Sequence, residues 1–78
     1  MRQKTDRAVV SFRTTHDAIA FETACEGAGA PGRLIPLPKE IDAGCGLAWS
    51  APPDTEEALR AILLKEGIEP QAIQVICI

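Results

Sequence analysis

The chain opens on an alternating pattern and then changes period. Over Arg7–Arg13 (RAVVSFR) Ala8, Val10 and Phe12 fall on one face at a spacing of two, with Ser11 and Arg13 on the other. That spacing predicts a strand with one buried face. Thr14 and Thr15 follow, either of them able to cap a helix, and Asp17 suits a helical first turn. From His16 to about Gly29 the apolar positions Ala18, Phe21, Cys25 and Ala28 recur at three- and four-residue steps, one stripe of an amphipathic helix. Gly27 and Gly29 fray its end and Pro31 forbids continuation.

Gly32–Leu37 (GRLIPL) reads as a second strand, and Pro36, which cannot donate to a ladder, makes it an edge strand or the end of one. Pro38–Gly44 (PKEIDAG) is a polar loop bounded by proline and glycine, followed by Cys45-Gly46. Leu47–Ala51 predicts a short third strand, stopped by Pro52-Pro53. Asp54 opens a second helix, with Asp54 and Glu57 at capping-box spacing. Its apolar face draws on Leu59, Ile62, Leu63 and Leu64, while Ala58, Ala61, Ile62 and Lys65 trace one side, and Gly67 is its stop. Gln71–Ile78 (QAIQVICI), β-branched and apolar almost throughout, predicts a last strand in a well-covered sheet.

The order β-α-β-β-α-β predicts an α+β domain of ferredoxin-like arrangement, a four-stranded antiparallel sheet with both helices on one face. Residues 1–78 make one domain, with a core over about residues 7–78 and residues 1–6 as a flexible N-terminal segment. A chain this short buries roughly 60–65% of its unfolded surface. It has no room for both a core and a deep substrate pocket, which argues against a self-contained enzyme for a large substrate.

Charge and chemistry narrow the classes further. A net charge of −3, three aromatic residues and no basic stripe set nucleic-acid binding aside. No run approaches the ~20 apolar residues of a membrane helix, and the polar start Met1–Arg7 does not read as a signal peptide, so a cytoplasmic location is expected. Cys25, Cys45 and Cys77 are odd in number and lie 20 and 32 residues apart, neither a disulfide framework nor a zinc pattern. Free thiols in a reducing compartment are the plain expectation, with no metal and no cofactor.

Of the three thiols Cys45 stands apart, because Gly44 and Gly46 flank it. Glycines let successive N–H groups converge on an anion, and Lys39 and Arg33 add positive charge; both effects would lower a thiol pKa. The bland alternative is a tight turn with a small residue in the middle. Cys25, on the apolar stripe, is expected to pack as a small hydrophobe, and so is Cys77 beside Ile73 and Val75. Cys77 would serve as a resolving thiol for Cys45 only if the terminus left it exposed. His16 is expected to be a surface residue of the first helical turn and Trp49 a packed strand residue.

Gly32-Arg33-Leu34-Ile35-Pro36-Leu37-Pro38-Lys39-Glu40-Ile41, then Cys45-Gly46-Leu47-Ala48, resembles the selenium/sulfur carrier protein-like family. So does Thr14-Thr15-His16-Asp17-Ala18 at the start of the first helix. The resemblance runs over roughly Ala8 to Ile76. It departs at Lys39, where the family usually has arginine, and at Asp42-Ala43-Gly44, which replaces a serine-rich stretch. Lysine keeps the charge there but not a bidentate grip on an anion. The resemblance implies a carrier that holds a persulfide or perselenide on Cys45, with Gly44, Gly46, Lys39 and Arg33 shaping and charging the loop. It also implies a cysteine desulfurase as donor partner and a selenium- or sulfur-accepting enzyme as recipient, with the chain acting stoichiometrically rather than as an enzyme. The alternative is a small regulatory or protein-interaction module, or a homodimer, in which the cysteine is structural.

Overall fold

The structure, a computed structural model, describes residues 5–39, 41 and 46–78. Strand β1 (Asp6–Ser11) leads into helix α1 (Thr15–Ala28), then β2 (Arg33–Pro36), β3 (Leu47–Ala51), a short 3-10 turn (Pro53–Thr55), helix α2 (Glu56–Glu66) and β4 (Ala72–Cys77). The sheet is antiparallel throughout in the order β2-β3-β1-β4, which is the expected ferredoxin-like arrangement. No helix among the described residues is long and apolar enough to cross a membrane.

Local chemistry sets the helix ends. Thr14 caps α1, its hydroxyl accepting a hydrogen bond from the Asp17 N–H at 3.1 Å, and Gly29 closes the other end in the left-handed conformation. The expected capping box at Asp54 and Glu57 does not form. Pro52 and Pro53, with φ fixed by their rings, start a 3-10 turn that takes in Asp54, and α2 begins only at Glu56. There the Thr55 hydroxyl donates back to the Pro52 carbonyl at 2.6 Å.

The main core lies between the helices and the sheet. Ala8, Val10 and Phe12 meet Ala18, Phe21 and Cys25 of α1, Leu59 and Leu63 of α2, and Trp49 and Ala51 of β3. Phe21 sits at the centre, its ring 5.5 Å from Phe12 and 5.6 Å from Trp49, the second pair edge-to-face. Ala28, expected on this stripe, is exposed in the last turn, and Leu64 is 86% exposed because it projects from the flank of α2.

A second core covers the helix-free face, and it overturns the expectation of one buried face for β1. Val9, Ala48 and Ile41 are buried there, with Ile35, Leu37, Ile76 and Ile78 packed around them. Ser11 is fully buried on this side as well, its hydroxyl 3.4 Å from the Ala72 carbonyl. The cover comes from the chain after β2, which folds back over the sheet. Cover is lost along the β4 edge: Gln74 is exposed on this face, and Val75 and Cys77, paired with Ala8 and Asp6, are exposed on the helix side, so Cys77 is not the packed residue expected.

Gly32 fixes how α1 returns to the sheet. Its φ is +117°, and a Cβ there would stand 2.6 Å from both the Ser50 carbonyl oxygen and Trp49 Nε1, an indole nitrogen buried without a hydrogen-bond partner. Gly32→Ala is therefore expected to cost at least ~2 kcal/mol in urea unfolding. Gly27→Ala, where a Cβ meets nothing and the residue is helical, should gain up to ~1 kcal/mol.

Candidate functional site

The candidate loop spans the gap between β2 and β3, and the sheet itself defines its base. The β2–β3 ladder runs Arg33↔Ser50, Leu34↔Trp49, Ile35↔Ala48 and Pro36↔Leu47. One more bond continues it, from the Leu37 N–H to the Gly46 carbonyl at 2.8 Å. Inside that clasp the Ile41 N–H donates to the Pro38 carbonyl at 3.0 Å. The Ile41 side chain then drops onto Val9 and Ala48 and is only 7% exposed. An apolar anchor thus lies within a stretch that composition alone reads as polar.

Of the residues singled out from sequence, Cys45 and Gly44 lie outside the described residues. Gly46 is exposed with φ +77°, a left-handed backbone that favours glycine, and open space surrounds the place of a Cβ. Lys39 is exposed within the loop. Arg33 stands at the other end of β2, three residues and about 10 Å of strand from Pro36. The ladder therefore groups Lys39 and Gly46 and sets Arg33 apart. At Arg33's end Arg7 Nε donates to the Ser50 hydroxyl at 3.0 Å.

Strand register shows what else shares the loop's end of the sheet. Ser11 pairs with Ala48, so β1 ends beside the start of β3, and α1 begins there. The positive end of the α1 dipole and His16 thus lie at the same end of the sheet as Leu37 and Gly46. His16 is a surface residue, its side chain 91% exposed and its Nδ1 3.8 Å from the Asp17 carboxylate. Trp49 is a packed residue, 2% exposed against Phe21. No group of three His, Cys, Asp or Glu residues among those described is arranged to hold a metal ion.

The two described thiols differ in kind. Cys25 is buried in the main core, and desolvation pushes its pKa up to about 11, so it stays a neutral thiol. Cys77 is exposed on the β4 edge, paired in register with Asp6 of β1. The sequence reading missed the anchor formed by Leu37 and Ile41. Its signal was present as apolar residues at Ile35, Leu37 and Ile41, bracketing a stretch read as a solvated loop.

A family model described as "Putative Se/S carrier protein-like" matches residues 7–74, a span that includes the whole candidate loop. No curated protein and no solved structure matches the chain.

Two outcomes follow from this geometry. Ile41→Ala should destabilise the fold by ~2–3 kcal/mol in urea, because it empties the second core while leaving the first intact. The Cys25 contribution to stability is fully present below the unfolded thiol pKa, near 9, and is lost as pH rises through the folded value of about 11. Unfolding free energy should therefore fall between pH 9 and 11, and Cys25→Ala, though less stable at pH 8, should show a shallower fall.

Proposed function

Because the chain belongs to the Se/S carrier protein-like family, we propose that it carries sulfur or selenium on Cys45 between two enzymes of the cytoplasm. The match across residues 7–74 carries this reading, since it takes in the loop, the strands that clasp it and the start of α1. The surrounding geometry supports it. The Leu37–Gly46 clasp and the buried Ile41 give the loop a fixed base, and the left-handed Gly46 directs the chain into β3. Lys39 and the N-terminal end of α1 supply positive potential on that side of the sheet, which favours a thiolate or the terminal anion of a persulfide. Arg33, at the far end of β2, is not needed for this role.

The transfer balances without an oxidant. The Cys45 thiolate attacks the outer sulfur of a persulfide on the donor, a cysteine desulfurase. The donor S–S bond breaks, its inner sulfur leaves as thiolate, and the new S–S bond leaves a persulfide anion on Cys45. A selenium atom passes by the same exchange. The reverse step delivers the atom to the accepting enzyme, and the carrier returns to its thiolate.

Incubation with a cysteine desulfurase and cysteine, or selenocysteine, should add one sulfur or selenium to the intact mass, mapped to Cys45. Cys45→Ser should abolish the adduct, and Cys77→Ser should leave it unchanged. An adduct that survives in Cys45→Ser, or maps to Cys77, would overturn the reading.

A further inference from the structure

The two edges of the sheet differ in kind. β2 is four residues long and carries Arg33 and Pro36, a charge and a missing donor that deter strand addition. β4 is six residues, Ala72–Cys77 (AIQVIC), with no charge and no proline, and β1 is its only neighbour among the described residues. Thr5 and Ile78 exchange both backbone hydrogen bonds, at 3.1 and 3.0 Å. Alternation along the ladder therefore turns Ile76 and Gln74 toward β1 and leaves the N–H and C=O groups of Ile73, Val75 and Cys77 pointing outward. Gln71 is spoken for, since its N–H donates to the Ser11 carbonyl at 2.8 Å.

We propose that β4 is the interface through which two copies of this chain pair about a two-fold axis, joining their sheets into one. The register follows from the outward groups: Val75 lies opposite Val75 of the second copy, and Ile73 lies opposite its Cys77. This is the alignment that uses every outward group of the strand and makes no demand on Gln71. A two-fold sets each central residue against itself or a near neighbour, so a charged strand would meet its own sign; β4 is neutral along its length.

Strand pairing alone would be too narrow for a specific dimer, which buries about 1,200 Å² or more. The neighbouring apolar surface would have to add to it. An open groove of about 450 Å³ runs between the last turns of α2 and the start of β4, lined by the apolar Leu63, Leu64, Ile68, Pro70 and Ile73 together with the charged Arg60 and Glu69. Because the axis passes perpendicular to the sheet, both helix layers stay on one side. The groove of one copy then faces the Cys77 end of the other, covering Leu64, 86% exposed, and Val75, 47% exposed. The pairing is independent of the carrier chemistry at the opposite edge hairpin.

Sedimentation equilibrium of the full chain should show a reversible dimer. Hydrogen exchange should show the Ile73, Val75 and Cys77 amides slowed about tenfold or more as the dimer fills. Those of Gln74 and Ile76, bonded to β1, should be protected at every concentration. Val75→Lys should raise the dissociation constant by at least about tenfold, as should Leu64→Glu, a change at an exposed side chain that leaves the fold intact by circular dichroism. A chain that stays monomeric at ~1 mM overturns the proposal and leaves the edge to a different protein. So does a dimer in which those three amides exchange freely.

Discussion

Water is kept from both faces of β1: Ala8, Val9 and Val10 are all fully buried. Antiparallel sheets with helices on one side commonly leave the other side wet, and here that option is closed by the residues themselves. Val9 and Ala48 face away from the helices and need a cover, and Ile41 provides it. The described part of the chain after β2 is pinned by the Leu37–Gly46 hydrogen bond and by an isoleucine on the second core, so Leu37 and Ile41 are held by the same burial that stabilises the fold.

The helix side is held by a different device. Three aromatic rings are few for a core, but they form a line from Phe12 through Phe21 to Trp49. Phe21 bridges the end of β1 and the middle of β3, so one side chain of α1 sets the helix against two strands at once. Gly32 completes the arrangement from the other end of the helix, where it lets the chain pass against the Trp49 indole with no side chain between. Small residues and one large cluster share the work that a longer chain would spread over many aliphatic contacts.

Among the described residues, sequence periodicity located the four strands and both helices, because the apolar stripes of α1 and the central strands face one continuous core. It failed where a second surface competed. Ser11 looked solvent-facing by alternation and is fully buried, since alternation cannot foresee a loop that returns over the sheet. The pair Asp54 and Glu57 had the right spacing for a cap, but two prolines ahead of them dictated a 3-10 turn. Cys77 had apolar neighbours and the look of a core residue; its exposure depends on β4 being an edge, which is a matter of strand order. Similarly, Arg33 and Lys39 are six positions apart in sequence, yet the hairpin puts them at different ends of β2.

Strand order also bears on how the chain reaches this fold. The central strand β1 is made first, yet one of its two partners is β4, and the Ser11–Ala72 contact spans 61 residues. Most of the sheet's hydrogen bonding therefore rests on non-local pairing, the kind that slows two-state folding relative to helical domains of similar size. During synthesis the β2–β3 hairpin and α1 can form early, but β1 keeps one unsatisfied edge until β4 leaves the ribosome. The interval in which a bare, apolar β1 is open to mispairing is set by translation of the segment between them, a cost carried by every newly made copy.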